Sequence, residues 1–207
     1  TGSHRVALDL GAGRDNLKPL NWEGAPGGEG SNQAIDPNNL DVVYSHGYYG
    51  DFTRTDLTPR IAAVVPAPAG GAGAGGAAPG QAAGAGAGQG GGGGRGGGVV
   101  NIRPTIAAGE PDLRAQWMAP ITVSAFDHNT IYAGYQYLYR SHDRGDTWER
   151  ISADLTSNDP KQMGINPSAI PYQSLTQIAQ SPRRKGLIYV GTDDGHVHLT
   201  TDDGKTW

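Results

Sequence analysis

Eight acidic side chains outside the repeated motif described below are candidates for acid–base chemistry. A glycoside hydrolase needs two carboxylates flanking the sugar bond, about 5–10 Å apart. The candidates are Asp36, Asp51, Asp56, Glu110, Asp112, Asp127, Asp193 and Asp194. Asp36 and Asp127 occupy equivalent turn positions, so capping is predicted for them. Asp193 and Asp194 lie in a predicted hairpin turn. Asp51 and Glu110 have no such explanation. Because the sequence brings no two of these groups face to face, it predicts no catalytic residue.

Two histidines form the other candidate site for chemistry. His196 and His198 alternate along a predicted strand and therefore share one face, a geometry that can hold a metal ion. No third ligand lies nearby in the sequence, so a packed or solvent-facing pair is the better interpretation. The chain has no cysteine, which excludes disulfides and thiolate chemistry. We therefore predict no metal site and no cofactor.

An aromatic cluster in the string YSHGYYGDF is the main candidate binding surface. His46, Tyr48, Tyr49 and Phe52 belong to it. Such a cluster is typical of a carbohydrate-stacking surface or a protein interface, and the alternative is ordinary packing between strands. Arg95, the one charged residue of a glycine-rich stretch, is added to this predicted interaction surface.

One short motif occurs twice. SHDRGDTW at 141–148 and TTDDGKTW at 200–207 share the pattern Ser/Thr-x-Asp-x-Gly-x-Thr-Trp. Its hydroxyl and carboxylate groups can accept backbone N–H groups and close a tight turn, and its glycine can take the positive φ that the turn needs. The tryptophan begins the next strand, where its ring can be buried against a neighbouring sheet. The predicted structural residues are Ser141, Asp143, Gly145, Thr147, Trp148, Thr200, Asp202, Gly204, Thr206 and Trp207.

A predicted β-hairpin precedes each motif, so the repeated unit is longer than the motif. The hairpins are at 130–141 and 186–201, with a third copy, whose motif has decayed, at 40–57. The apolar runs of the copies end at Tyr44, Tyr132 and Tyr189. Once 66–98 is removed as an insertion, the copies fit a period of roughly 55–59 residues, which indicates a repeat architecture.

Another short strand precedes each hairpin, and 148–152 supplies a fourth strand in the middle copy. Four-stranded units repeated around an axis are the blades of a β-propeller. We therefore predict an all-β fold in which residues 1–207 form a partial propeller of about three blades. Residues 66–98 are predicted to be a Gly/Ala-rich insertion that extends outwards from the propeller surface. Because propellers have about four to eight blades, we expect the chain to be a fragment of a larger propeller.

Charge and composition narrow the possible partners. With 20 acidic and 16 basic side chains, the net charge is −4, which provides no basic footprint for nucleic acid. No apolar run is long enough to cross a bilayer. The absence of cysteine fits either the cytoplasm or the periplasm of a bacterium.

The repeated strings resemble the Asp-box, or bacterial neuraminidase repeat, of a propeller superfamily. The resemblance lies in IYAGYQYLYRSHDRGDTWERIS and LIYVGTDDGHVHLTTDDGKTW, and covers most of 27–65 and 99–207. Within that superfamily the chain looks most similar to bacterial sortilin-like propeller proteins. The resemblance implies that the motif residues lie on outer turns, away from the central pocket, with structural and not catalytic roles.

The resemblance leaves two functions open. The one we expect is a non-enzymatic scaffold or protein-interaction subunit of a larger assembly, in the bacterial periplasm or outside the cell. The alternative is a carbohydrate-active enzyme, a glycoside hydrolase of the Asp-box type. A sialidase is not favoured, because the arginines are not accompanied by the Arg-Ile-Pro signature of those enzymes.

Overall fold

The computed structural model describes residues 4–6, 23–27, 32–57, 98–162 and 172–207. These residues form thirteen β-strands, and none of them is helical. The predicted all-β class is therefore confirmed for this part of the chain. Arg95 and the predicted insertion, except for Gly98, lie outside the described residues.

The strands pair in chain order into antiparallel sheets, the three larger of which are called sheets 1, 2 and 3. A small sheet pairs β1 (His4–Arg5) with β2 (Glu23–Gly24). Sheet 1 contains β3 (Gln33–Asp36), β4 (Asn39–His46), β5 (Phe52–Asp56) and β6 (Val99–Asn101). Sheet 2 contains β7 (Ile121–Val123), β8 (Ile131–Gly134), β9 (Leu138–Ser141) and β10 (Glu149–Arg150). Sheet 3 contains β11 (Leu175–Gln180), β12 (Ile188–Thr192) and β13 (Val197–Thr200).

The three tyrosines that align the repeats occupy the same place in their sheets. Each lies on the second strand and faces a residue of the third strand. The cross-strand pairs are Tyr44–Arg54, Tyr132–Arg140 and Tyr189–Leu199. The repeat register predicted from these tyrosines is therefore confirmed.

Side-chain alternation lets sheet 2 bury both of its faces. Ile131 points towards sheet 1 and packs in a core that includes Tyr44 and Phe52. Its neighbour Tyr132 points the other way, into a second core that includes Leu175 from sheet 3. The three sheets are therefore stacked face to face in chain order.

Within the described part of the chain, no further sheet packs on the outer face of sheet 3. Tyr189 is 45% exposed, whereas Tyr44 and Tyr132 at the equivalent positions are 0% and 2% exposed. Leu199, directly opposite Tyr189, is also exposed. This face has the apolar character of the two buried ones.

One arginine in sheet 1 and one in sheet 2 each bond to the motif that follows the third strand of the next sheet. Arg54 donates to the carbonyl oxygen of Arg144 at 2.7 Å and pairs with Asp146 at 3.0 Å. Arg140 in sheet 2 donates in the same way to the carbonyl oxygen of Asp203 at 3.2 Å, and pairs with its carboxylate. The contact between neighbouring sheets thus repeats along with the sheets themselves.

Alternate turns of an antiparallel sheet lie at opposite ends of it. We call one end the motif end, because the repeated motif follows the third strand there. The other, the connecting end, holds the turns between second and third strands, the link 102–120 and the described segments 151–162 and 172–174. The hydroxyl of Tyr135, in the β8–β9 turn, donates to the carbonyl oxygen of Gly50, in the β4–β5 turn, at 2.6 Å. The connecting ends of sheets 1 and 2 therefore lie side by side.

Candidate functional site

The first motif copy folds into a turn closed by its own side chains. Ser141 Oγ accepts the backbone N–H of Gly145 at 2.7 Å and donates to the carboxylate of Asp143 at 2.7 Å. That carboxylate also accepts the backbone N–H and the hydroxyl of Thr147, at 2.8 and 2.6 Å. Gly145 has a φ of 94°, the conformation expected of it.

The second copy repeats these contacts with threonine in place of serine. Thr200 Oγ1 accepts from the backbone of Gly204 at 2.9 Å and donates to Asp202 at 2.8 Å. Asp202 accepts the backbone N–H and hydroxyl of Thr206 at 2.9 and 2.6 Å. We call 141–148 and 200–207 the motif turns.

Each motif turn docks on the preceding sheet through its tryptophan. Trp148 donates its indole N–H to the carbonyl oxygen of Ile102, just after β6, at 2.7 Å. Trp207 does the same to Ile151, just after β10, at 2.9 Å. Both rings are half-buried. The groups of the motif are thus engaged in contacts within the protein.

The motif carboxylates predict a loss of stability in acid. The hydroxyl of Thr147, and then its backbone N–H, lower the pKa of Asp143 to about 2, and Thr206 does the same for Asp202. Because these folded-state values lie below the ordinary value of about 3.9, the ionised groups stabilise the fold above about pH 4. That contribution is lost as the pH falls from about 4 towards 2.

Urea midpoints measured between about pH 6 and pH 2.5 check this expectation. The control is the double variant Asp143→Asn/Asp202→Asn, whose midpoint should fall less steeply than that of the unmodified chain below about pH 4. Equal slopes for the two proteins would contradict the expected linkage.

An aromatic cluster stands at the connecting end, between sheets 1 and 2. The ring centroid of Trp117, in the link 102–120, lies 4.3 Å from that of Tyr48 and 5.5 Å from that of Tyr49. Tyr48 is 41% exposed, and the other two rings are half-buried. We call these three residues the aromatic patch. Its three rings lie away from the motif turns.

The backbone that presents the patch is strained. Tyr49 has a φ of 57° and Gly50 a φ of 73°, in a turn closed by the Asp51 N–H and the Tyr48 carbonyl oxygen at 3.3 Å. Turns of this kind favour Asn or Gly at the first of these positions, and a tyrosine there costs about 1–2 kcal/mol. Strain of this kind clusters at functional sites.

Two residues of the predicted interaction surface are buried, so the prediction was wrong for them. His46 and Phe52 are a cross-strand pair, and both side chains are 0% exposed because sheet 2 covers their face. Burial lowers the pKa of His46, whose Nε2 accepts the backbone N–H of Asn32 at 2.6 Å. Its Nδ1–H donates to the carbonyl oxygen of Gly47, so both ring nitrogens are used. Tyr48 and Tyr49 do reach the surface.

No protein-family model matches this chain, and no curated protein matches it.

The turn aspartates act as caps, as predicted. Asp36 accepts the N–H of Asn38 at 2.8 Å, and Asp127 accepts that of Asn129 at 3.0 Å. In the 193–194 turn, the two carboxylates accept the N–H groups of Ser174 and Ser157, at 2.9 and 2.6 Å.

The two carboxylates that the sequence left unexplained also have partners. Asp51 accepts from the side-chain amide of Asn101 at 3.0 Å. Glu110 pairs with Arg150 at 3.2 Å. Of the remaining candidates, Asp56 ends β5 and Asp112 is exposed in the link 102–120.

The histidine pair shares a face, as expected, with ring centroids 5.9 Å apart. His198 Nε2 lies 2.7 Å from the carbonyl oxygen of Leu155, so one of the two side chains contacts the segment that follows sheet 2. Among the described residues, no three His, Cys, Asp or Glu side chains gather as metal ligands. No helix in the same part of the chain has the length and apolar character that a membrane crossing requires.

Sequence reasoning missed Trp117 as a member of the site. Trp117 lies in an irregular link with no hydrophobic period. The residue it contacts, Tyr48, lies in the β4–β5 turn, far from it in the sequence. The available signal was the adjacent pair Trp117-Met118, since large apolar residues in a link are unusual unless they are packed or bind something. Met118 is 51% exposed.

Proposed function

We propose that this chain forms about three blades of an Asp-box β-propeller and binds a protein partner through the aromatic patch. It would act as a non-enzymatic subunit of a larger assembly. The observation that carries the proposal is the exposed, strained turn that holds Tyr48 and Tyr49 against Trp117.

The repeated geometry supports the propeller. Successive antiparallel sheets stack face to face, and the same tyrosine position and the same motif turn recur at each joint. The apolar outer face of sheet 3, with Tyr189 and Leu199 exposed, is the surface on which a further blade would pack. The motif turns have the Asp-box pattern, and their contacts with the preceding sheet repeat from joint to joint.

The composition of the patch supports binding. Tyrosine and tryptophan are enriched where proteins bind each other, since they bury a large area while losing few rotamers. By contrast, several carboxylates that a glycoside hydrolase could use are engaged within the described chain, since Asp36 and Asp127 cap turns and Glu110 pairs with Arg150. A protein-binding role therefore fits the connecting end better than the hydrolase alternative. A periplasmic or secreted location in a bacterium fits the same role.

A photo-cross-linking residue in place of Tyr48 tests the proposal in the source organism. Ultraviolet light should join the chain to a protein and produce one larger species of defined mass. The matched control carries the same cross-linker in place of Phe126, which is 41% exposed in the β7–β8 turn at the motif end. That control should not yield the same species.

The opposite pattern would contradict the proposal. Cross-linking equally from both positions, or from Phe126 alone, would mean that the patch is not the interface. Release of reducing sugar from a polysaccharide panel, lost in the Tyr48→Ala variant, would favour the hydrolase alternative.

A further inference from the structure

His46 is a titratable side chain enclosed within the fold, next to the turn that carries Tyr48 and Tyr49. It is the last residue of β4 and is 0% exposed. Its ring meets that of Phe52 edge to face, with the two centroids 6.0 Å apart. His46 belongs neither to the motif turns nor to the aromatic patch.

The imidazole bonds to the backbone through both of its nitrogens. Nε2 accepts the N–H of Asn32, the residue before β3, at 2.6 Å. Nδ1 contacts the carbonyl oxygen of Gly47, the first residue after β4. A neutral imidazole has one donor and one acceptor, so Nδ1 carries the proton and Nε2 has none. One side chain thus joins the start of β3 to the start of the β4–β5 turn.

Protonation of this ring would remove its acceptor. An imidazolium has two N–H donors and no acceptor. Its Nε2–H would point at the N–H of Asn32, and two donors cannot face each other across the 2.6 Å between their nitrogens. The charge would also be fully buried, which is costly unless it is paired. His46 can therefore take up a proton only after Asn32 moves away from it.

Within the described part of the chain, the charged and titratable side chains around His46 do not offset this cost. They are Asp36 on β3, Tyr44 on β4, Arg54 and Asp56 on β5, Tyr48, Tyr49 and Asp51 in the β4–β5 turn, Arg103 in the link 102–120 and Tyr135 in the β8–β9 turn. None of them contributes to the shift in the pKa of His46, which burial lowers and the hydrogen bond to Gly47 partly offsets. Asp51 accepts from the side-chain amide of Asn101 at 3.0 Å. The folded chain therefore provides no described counter-ion for an imidazolium at this position.

We propose that His46 is a pH switch, whose protonation breaks the contact with Asn32 and loosens the turn that carries Tyr48 and Tyr49. Histidine is the side chain whose ordinary charge change falls between pH 5 and 8. Protonation of histidines at about pH 5–6 drives switches of this kind in pH-sensing proteins. This role goes beyond the proposed function and holds whatever molecule the aromatic patch binds.

The direction of the pH dependence follows from burial. The unfolded chain takes up a proton at His46 near the ordinary pKa of about 6.5, whereas the folded chain takes it up only at lower pH. The contact therefore stabilises the fold above about pH 6.5 and is lost as the pH falls below that value. While the two states differ by this one proton, each pH unit lowers the folding equilibrium constant by about tenfold. The motif carboxylates lose their contribution only below about pH 4, so the two effects are separable.

Two NMR measurements on the unmodified chain test the switch. A long-range ¹H–¹⁵N spectrum of the imidazole at pH 7.5 should show His46 with its proton on Nδ1 and none on Nε2. Between pH 7.5 and 5.5, the protection factor of the Asn32 amide against hydrogen exchange should fall by about tenfold or more. The control is the Ser181 amide, which donates to the carbonyl oxygen of Leu187 beside sheet 3 and should lose less protection.

The variant His46→Gln tests the proton itself. A glutamine amide can offer an oxygen acceptor to Asn32 and takes up no proton in this pH range. The urea midpoint of the variant should therefore change little between pH 7.5 and 5.5, whereas that of the unmodified chain should fall. The matched control is His196→Gln, which removes an exposed histidine from the β12–β13 turn and should leave that fall unchanged.

Three results would each overturn this role of His46. They are a proton on Nε2 at pH 7.5, equal protection of the Asn32 amide at both pH values, and the same pH dependence in His46→Gln as in the unmodified chain. The two NMR measurements need no variant, so they decide the matter even where glutamine is not tolerated. Cross-linking from position 48, which tests the proposed function, is independent of all three, so either idea can fail without the other.

Discussion

Replacing Gly145 by alanine is expected to destabilise the chain by about 2–4 kcal/mol. Gly145 has a φ of 94°, where an L-residue is strained. It is also buried against Ile102, and a Cβ built on it would lie 2.8 Å from the Cβ of that residue. The cost therefore combines backbone strain with overpacking between the first motif turn and sheet 1. Urea denaturation at neutral pH measures it.

Gly195 provides the matched control, because it shares the strain without the contact. Its φ is 88°, and an added Cβ would meet nothing within 4 Å. Gly195→Ala should cost only about 1–2 kcal/mol. If the two variants lose the same stability, the close approach to Ile102 contributes nothing, and the motif turn does not hold the sheets together as we describe.

The sequence predicts local turns such as the one at Gly145, but it does not predict contacts between sheets. The local turn around Gly145 was predictable, because a hydroxyl, a carboxylate and a glycine at this spacing bond to their own backbone. Its partner Ile102 was not predictable, because it lies in the preceding sheet and meets the turn only once the sheets stack. Strand pairing was also predictable, because strands that follow one another in the chain pair with each other and the tyrosines mark the same position in each repeat.

In the candidate site, too, features local in the sequence were predictable and contacts between elements were not. Tyr48 and Tyr49 were predicted as members of an aromatic cluster in the sequence, and they reach the surface because they lie in the turn between β4 and β5. His46 and Phe52 were placed with them by proximity in the sequence, but they lie on the strands and face sheet 2, which buries them. Trp117 joins the patch through a contact between a link and a turn, and no periodic pattern encodes such a contact.

Replacing Tyr135 by alanine is expected to cost about 3–5 kcal/mol, the largest effect we predict. The side chain is 0% exposed, and its ring meets those of Phe52 and Tyr139 edge to face at 5.7 and 5.8 Å. Burial raises the pKa of its hydroxyl, which stays protonated and donates to the carbonyl oxygen of Gly50 at 2.6 Å. Tyr135→Phe keeps the ring and leaves that carbonyl without its donor, and should cost about 1–3 kcal/mol. Thermal and urea denaturation distinguish the two variants.

Tyr137→Phe is the control for the lost hydroxyl, because Tyr137 is half-buried in the same turn and its hydroxyl has no hydrogen bond within the described residues. It should be nearly neutral. The Tyr135 hydroxyl also holds the strained turn that presents Tyr48 and Tyr49, so Tyr135→Phe should lower the yield of the species cross-linked from position 48 while the protein remains folded. An unchanged yield with reduced stability would separate the two roles, leaving Tyr135 as a core residue that does not position the aromatic patch. A lower yield in Tyr137→Phe as well would instead point to a general loosening of the connecting end.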